Sequence, residues 1–232
     1  MKFFDFIAEL IFPPRCACCL KVIGKHTVFC GDCMPEIPFV DGVACEKCGI
    51  PLSANFPSPV CGRCRERNFS FDKNIPLMEH FGCGRETVIN MKYKSHPVIK
   101  DVAILMANRI MPILDLIDEV TFVPMTKKEE RKKDIHITYF LSKEIAKLIG
   151  VPHKELLCKT RETKKQKELT EKGRIENVRG AFEIKGDVKG KTVLIIDDVF
   201  TTGATMEECA KVLKRAGAFA VFSATASIRN RE

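Results

Sequence analysis

Four C-x-x-C pairs in the first 64 residues constrain the fold of this chain more than any other feature of its sequence. The pairs are Cys16/Cys19, Cys30/Cys33, Cys45/Cys48 and Cys61/Cys64, separated by gaps of 10, 11 and 12 residues. One such turn places two sulfur atoms about 2.3 Å from a metal ion, and two turns complete a tetrahedral thiolate cage for Zn²⁺. The sequence therefore predicts a segment whose folding energy comes largely from bound metal.

The order of the pairs favours two consecutive zinc ribbons. The simplest assignment joins Cys16/Cys19 with Cys30/Cys33, and Cys45/Cys48 with Cys61/Cys64. The similar gaps leave a crossed pairing open. Disulfides are disfavoured because the first residues do not form a secretory signal: Asp5 and Glu9 interrupt the apolar run, and Pro13-Pro14 follows it. Iron–sulfur ligation is disfavoured by the spacing. We therefore expect two structural Zn²⁺ ions.

Four cysteines lie outside the pairs. We predict that Cys18 is a spectator thiol and that Cys83, Cys158 and Cys209 are small buried apolar residues.

The apolar residues of the first segment fall on one face of a helix over residues 1–11. We expect this helix to pack on the protein's own core, with docking to a membrane surface or a partner as the alternative. The chain has no apolar run of 18 residues, so no membrane span is expected.

Beyond residue 70 the pattern changes to alternating helices and strands. Helices are predicted over 84–94, 97–111, 136–149 and 205–216, and strands over 119–125, 155–158, 181–184, 192–197 and 218–226, with a polar stretch over 159–180. This alternation is typical of an α/β fold with a mostly parallel sheet flanked by helices. We therefore divide the chain into a zinc-ribbon module over 1–70 and an α/β domain over 71–232.

The string TVLIIDDVFTTGAT, residues 192–205, carries the clearest chemical signal. A buried apolar strand is followed by Asp197 and Asp198, and a loop of small and hydroxylated residues then opens into a helix. The loop comprises Thr201, Thr202, Gly203, Ala204 and Thr205. Backbone N–H groups at a helix N-terminus bind phosphate. The two carboxylates suit ribose hydroxyls and Mg²⁺, so the string predicts a sugar-phosphate site.

The positive charge of the chain is concentrated in one stretch. The whole chain has 38 Lys and Arg against 30 Asp and Glu, a net charge of +8, and residues 121–180 contribute +7 of it. Such a stretch attracts an anion, either pyrophosphate or single-stranded DNA. It has few interleaved aromatic residues, which disfavours base stacking. Each four-thiolate zinc site would carry a formal charge of −2, so two such sites would lower the overall charge below +8.

The combined motifs resemble the ComF family of bacterial competence proteins, which join an N-terminal zinc module to a type I phosphoribosyltransferase-like domain. The resemblance rests on FPPRCACC, the four C-x-x-C pairs, R-x-x-V-x-x-x-KY from Arg85, VPM at 123–125, R-x-T-x-x-Q from Arg161, RIENVRGAF from Arg174, and DDVFTTGAT. It covers nearly the whole chain. Thr126 and the run 134–137 differ from the family pattern.

The resemblance implies a role for each matched residue. Asp197 and Asp198 would hold the ribose hydroxyls and Mg²⁺ as the catalytic pair, and Thr201–Thr205 would cradle the 5′-phosphate of phosphoribosyl diphosphate (PRPP). The turn over 125–128, with Lys127 and Lys128, would bind pyrophosphate. A mobile loop over 159–180 would close on the ligand through Arg161, Thr163, Gln166, Arg174 and Asn177.

Two hypotheses follow for function. In the first, the chain is a phosphoribosyltransferase for an unidentified nucleobase or amine. In the second, it keeps the PRPP fold for binding or regulation in natural transformation. The resemblance then implies a cytoplasmic protein that works with a helicase-like ATPase at the inner face of the cell membrane, with single-stranded DNA as a further partner.

Overall fold

The computed structural model describes residues 13–24, 27–93, 96–131, 136–163 and 170–230. The predicted helix over 1–11 and the predicted loop residue Gln166 lie outside these ranges.

A four-stranded parallel sheet forms the centre of the molecule. Its strands are β1 (Lys73–Glu79), β2 (Glu119–Phe122), β5 (Thr192–Phe200) and β6 (Ala220–Ile228), in the order β1-β6-β5-β2. All three pairings are parallel, which confirms the predicted α/β fold. The carboxyl ends of the strands meet at one edge, where parallel sheets bind ligands.

Strand β1 was not predicted from the sequence, because Pro76 interrupts its apolar pattern. Proline lacks the N–H that a central strand must donate, and it is tolerated at a sheet edge. In the structure β1 is an edge strand that pairs only with β6 in the sheet. The linker between the two ribbons covers its other side, where Val40 N donates to Leu77 O at 3.1 Å.

Seven α-helices lie within the described ranges. They are α1 (Gly62–Arg67), α2 (Gly82–Tyr93), α3 (His96–Ile110), α4 (Lys127–Arg131), α5 (Ile137–Ile149), α6 (Glu171–Val178) and α7 (Ala204–Arg215). Short 3₁₀ turns occupy Met34–Glu36 and Met111–Leu116. The four predicted helices correspond to α2, α3, α5 and α7. No helix in the described part of the chain is both long and apolar enough to cross a membrane.

The alternating side chains of β5 separate two hydrophobic cores. Leu194 and Ile196 face the core formed with α2, α3 and α5, whereas Val193 and Ile195 face the core formed with α7. The first ribbon contributes Cys16 and Cys33 to the first core, and the second ribbon contributes its four cysteines to the other. The two ribbons therefore pack against opposite faces of the sheet.

A second, smaller sheet lies beside the main one. Strands β3 (Leu157–Lys159) and β4 (Phe182–Ile184) pair antiparallel, with Lys159 opposite Phe182. The segment between them returns to its starting point and contains α6, so the polar stretch 159–180 is partly helical. The hairpin and α6 both pack against α7.

Strands β5 and β2 both end three residues away from their predicted boundaries. The sequence predicts that β5 ends at the two carboxylates, but it continues to Phe200. The reason is its pairing with β6, which extends to Phe200 opposite Ile228. Strand β2 is shorter than predicted and ends at Phe122, before Pro124.

Candidate phosphate-binding site and metal centres

The eight paired cysteines form two tetrads in the structure. Within each tetrad all sulfur atoms lie within 4.8 Å of one another, in the groups Cys16/Cys19/Cys30/Cys33 and Cys45/Cys48/Cys61/Cys64. The consecutive pairing is confirmed. Cys19 and Cys30 sulfurs are 3.6 Å apart and those of Cys48 and Cys61 are 3.8 Å apart. A tetrahedral ion with bonds of about 2.3 Å requires sulfurs about 3.8 Å apart, so the residues fit Zn²⁺.

Two of the four unpaired cysteines, Cys83 and Cys158, are less buried than predicted. Cys18 and Cys83 are partly buried, and their sulfurs lie within 4.8 Å of each other and of Cys33. Cys18 is therefore not isolated from the first tetrad. Cys158 is also only partly buried, which contradicts the prediction of a buried residue, whereas Cys209 is fully buried as predicted.

The two carboxylates lie where β5 approaches the ligand edge of the sheet. Burial, together with the charge of Asp198, raises the pKa of Asp197 to about 8. Asp198 forms an ion pair with Lys92 of α2, with 2.5 Å between Nζ and Oδ2. The raised pKa favours the protonated form of Asp197, and Lys92 balances the negative charge of Asp198. The sequence motif that begins at Arg85 includes Lys92 but does not indicate this ion pair.

Other groups at this edge follow the ends of β1 and β6. His80 comes directly after β1 and shares a hydrogen bond with Ser227 of β6, with 2.8 Å between Nδ1 and Oγ. Burial, with Arg229 and Lys92 nearby, lowers the pKa of His80 to about 4. This imidazole is neutral at physiological pH.

The loop after β5 has the geometry of a phosphate cradle. Gly203 has a φ of +76° and immediately precedes α7, and Thr202 is buried. A β-carbon at Gly203 would lie 2.7 Å from Phe200 and 3.2 Å from Phe69, so both the backbone conformation and the packing require glycine. The loop N–H groups precede a helix of twelve residues, whose N-terminus favours an anion.

The second zinc ribbon braces this loop. Helix α1 begins directly after one zinc ligand and contains another. From it, Arg63 donates to Thr201 O and Arg67 donates to Thr202 O, each at 3.1 Å. These bonds occupy loop carbonyls and place two positive charges beside the predicted phosphate position.

A second set of contacts continues the brace along α7. The backbone N–H and the hydroxyl of Ser70 donate to the two oxygens of Glu207, at 2.6 and 3.0 Å. Phe69 stacks on Phe71 with 4.9 Å between the ring centroids, and Phe71 meets Phe200 edge-on at 5.8 Å. The sequence did not indicate this contact, because the residues lie about 135 positions apart.

The predicted pyrophosphate turn leads into helix α4. Thr126 Oγ1 accepts from Glu129 N at 3.1 Å, while Glu129 Oε2 accepts from Thr126 N at 2.8 Å. This reciprocal pair is a capping box, which explains the threonine at this position. Lys127 and Lys128 follow and are exposed. Lys128 pairs with Glu162 at 2.9 Å.

The predicted mobile segment contacts both sides of the site. Lys159 forms an ion pair with Glu129 at 2.8 Å and donates to Thr163 Oγ1 at 2.9 Å. Arg161 donates to Arg179 O at 2.7 Å, which closes the base of the segment.

Two predicted residues of this segment lie on α6. Arg174 is buried on it, at 4% exposure, and Asn177 lies one turn further along. Helix α6 packs against α7, and Gly180 N donates to Glu208 at 3.0 Å. The structure therefore brings Arg161, Thr163, Arg174 and Asn177 onto one segment that contacts α4 and α7.

Comparisons with known proteins agree with this architecture. A model described as a double zinc ribbon domain matches residues 7–65, and one described as a phosphoribosyl transferase domain matches residues 99–231. The DNA utilization protein YhgH of Salmonella typhi is 28% identical over 221 residues, which cover 91% of this chain and 96% of that protein. Competence protein F of Haemophilus influenzae is 24% identical over 233 residues, 94% of each chain.

Among solved structures, the glutamine PRPP amidotransferase from B. subtilis is 21% identical, with a TM-score of 0.41. The match covers 60% of this chain and 30% of that one. The two domain matches and the full-length relatives confirm the resemblance to the ComF family. The phosphoribosyl transferase match covers more than half of the sequence. The chain therefore belongs to the phosphoribosyl transferase domain family, in a form preceded by a double zinc ribbon.

Proposed function

We propose that this chain binds a ribose 5-phosphate group, with PRPP and Mg²⁺ as its ligands. One observation carries the proposal: a glycine-hinged loop at the N-terminus of α7 directly follows two carboxylates near the carboxyl end of a buried parallel strand. The loop N–H groups of Thr201–Thr205 bind the 5′-phosphate. Asp197 and Asp198 accept hydrogen bonds from the ribose hydroxyls.

The carboxylates also fit a magnesium ion. Mg²⁺ prefers carboxylate oxygen ligands and commonly uses one or two of them together with phosphate oxygens of the substrate. When bound, it would neutralise charge on the diphosphate. Asp197 must release its proton for this role, and Asp198 must exchange its ion pair with Lys92 for the new cation. A cation at this position would therefore take over the charge balance that Lys92 provides.

The opposite side of the site suits the diphosphate. Lys127 and Lys128 are exposed at the start of α4, and Glu162 of the mobile segment neutralises Lys128. Pyrophosphate would compete with Glu162 for this lysine. Closure of the segment then excludes water through Arg161, Thr163, Gln166, Arg174 and Asn177, of which Gln166 lies outside the described residues.

A role in DNA utilisation is the second part of the proposal, and the names of the full-length relatives support it. Single-stranded DNA and a competence helicase or ATPase are the partners, in the cytoplasm at the inner face of the membrane. The strongly basic stretch over 121–180 is the candidate DNA surface. Its lysines 164, 165 and 167 lie outside the described residues.

A ligand series tests the ribose-phosphate proposal. Calorimetry should show binding of ribose 5-phosphate with Mg²⁺ and no binding of ribose, because the loop recognises the phosphate. Asp198→Asn should weaken the binding of ribose 5-phosphate with Mg²⁺. Equal affinities for ribose 5-phosphate and ribose would contradict the proposal that the loop binds the phosphate.

Separate assays distinguish the roles. Pyrophosphate release from PRPP in the presence of candidate nucleobases identifies a transferase. Salt-dependent binding of single-stranded DNA identifies a DNA role. Substitution of Lys164, Lys165 and Lys167 by glutamine should abolish this binding. Salt-independent or unchanged binding would contradict that role.

A further inference from the structure

Two cysteines outside the zinc tetrads lie against the first one. Cys18 belongs to the first knuckle, between two zinc ligands, and Cys83 is the second residue of α2. The sulfurs of Cys18, Cys33 and Cys83 all lie within 4.8 Å of one another. Cys33 belongs to this group and to the first tetrad. Six sulfur atoms therefore form two overlapping groups that share Cys33.

The separation of the three sulfurs suits a metal ion. An ion with three thiolates at about 2.3 Å places the sulfurs about 4 Å apart. Both Cys18 and Cys83 are partly buried, so an ion can enter from solvent and a water molecule can complete its coordination. Cys158, by contrast, contacts a backbone carbonyl, at 3.7 Å from Glu183 O.

The surrounding backbone holds the group together. Asn90 is buried on α2, and its Nδ2 donates to Ala17 O at 2.9 Å and to Cys18 O at 2.7 Å. This side chain fixes the first knuckle against the helix that carries Cys83. The alignment of the two free thiols with Cys33 is therefore built into the interface between ribbon and α/β domain.

Net charge does not oppose a second ion. A Zn²⁺ ion with four thiolates has a formal charge of −2. A second divalent ion would displace the protons of Cys18 and Cys83 and add two thiolates, so the cluster would still carry −2. The additional ion brings no further net charge into a partly buried site. Because Cys33 would already be the thiolate ligand of the first ion, the second ion needs only two further thiolates, those of Cys18 and Cys83.

We propose that Cys18, Cys33 and Cys83 form a third metal site, which binds a divalent thiophilic ion such as Zn²⁺ and shares Cys33 with the first ribbon. The ion would link the ribbon to α2, and the same helix carries Lys92, the partner of Asp198. The competing explanation is a protein with two ions in which Cys18 and Cys83 remain thiols beside the Cys33 thiolate.

Native mass spectrometry of the full-length protein, loaded with Cd²⁺ under reducing conditions, separates the two explanations. We expect three ions on the unmodified protein, two on Cys18→Ser and two on Cys83→Ser. Cys158→Ser is the matched control and should retain three. Two ions on the unmodified protein at saturating Cd²⁺, or three on both serine variants, would overturn the proposal.

Cobalt substitution gives a second measurement that does not depend on the variants. A thiolate bridge couples the spins of two neighbouring Co²⁺ ions. As the last equivalent of Co²⁺ enters, the electron paramagnetic resonance signal per ion should fall. A signal that stays proportional to the bound Co²⁺ would show that no bridged pair forms.

Discussion

The contacts between α1 and the phosphate loop predict that the second zinc ribbon controls ligand affinity. Arg63→Gln and Arg67→Gln each remove one hydrogen bond from a charged donor to a loop carbonyl, at 3.1 Å in both cases. Such bonds contribute about 1.5–3 kcal/mol. Because both arginines are partly exposed, we discount this to about 1–2 kcal/mol, which corresponds to a Kd about 5- to 30-fold higher.

Arg65 provides the matched control, since it lies on the same helix and is exposed. Calorimetry with Mg²⁺-PRPP should give an unchanged Kd for Arg65→Gln and weaker binding for the other two variants. Arg67→Lys should recover part of the affinity, because lysine keeps the charge. Zinc content and melting temperature establish that the ribbon stays folded. Equal Kd values for all three glutamine variants would refute the bracing role.

Three further results are expected from single substitutions. Lys92→Met removes the cation that balances Asp198. Calorimetry should then show that Mg²⁺ binds the free protein about fivefold more tightly, which corresponds to about 1 kcal/mol. Arg85→Gln, on the same helix, should leave the Mg²⁺ affinity unchanged. Gly190 has a similar φ but open space around it, so Gly190→Ala should lower the free energy of unfolding by about 1 kcal/mol. In urea unfolding, Gly203→Ala should destabilise the protein by more than this, because its added methyl group also meets Phe200 and Phe69. Equal losses would contradict the packing argument. Burial raises the pKa of Asp101 to about 6 in the folded protein, above its value of about 4 in the unfolded chain. Between these two pKa values the folded protein binds more protons than the unfolded chain. The contribution of Asp101 to the free energy of unfolding therefore falls as pH rises from about 4 to 6. Asp101→Asn should remove that slope and stabilise the protein at pH 7; a slope unchanged from that of the unmodified protein would show that Asp101 is not its source.

The sequence was most informative where a local pattern determines the structure. C-x-x-C spacing predicted both tetrads, and the alternation of apolar and polar segments predicted four helices and the parallel sheet. The diacid and the loop after it were found because all their parts are contiguous. Such features depend on residues only a few positions apart, so periodicity and spacing are enough to identify them.

Features formed between distant residues could not be predicted in this way. Strand β1 contains Pro76, and only its edge position makes that residue acceptable. The brace from Arg63 and Arg67 joins helix α1 to a loop about 135 residues away. The approach of Cys83 to Cys18 likewise depends on how α2 docks on the first ribbon. No local pattern contains this information.

The central claim is that the diacid and the glycine-hinged loop form one site for a ribose phosphate. Calorimetry of the zinc-loaded, full-length protein with Mg²⁺-PRPP tests it most directly. We expect one ligand per chain, with binding abolished when Asp197 and Asp198 are both replaced by asparagine and zinc content unchanged. Absence of binding by the unmodified protein, or equal binding by the double variant, would contradict the claim.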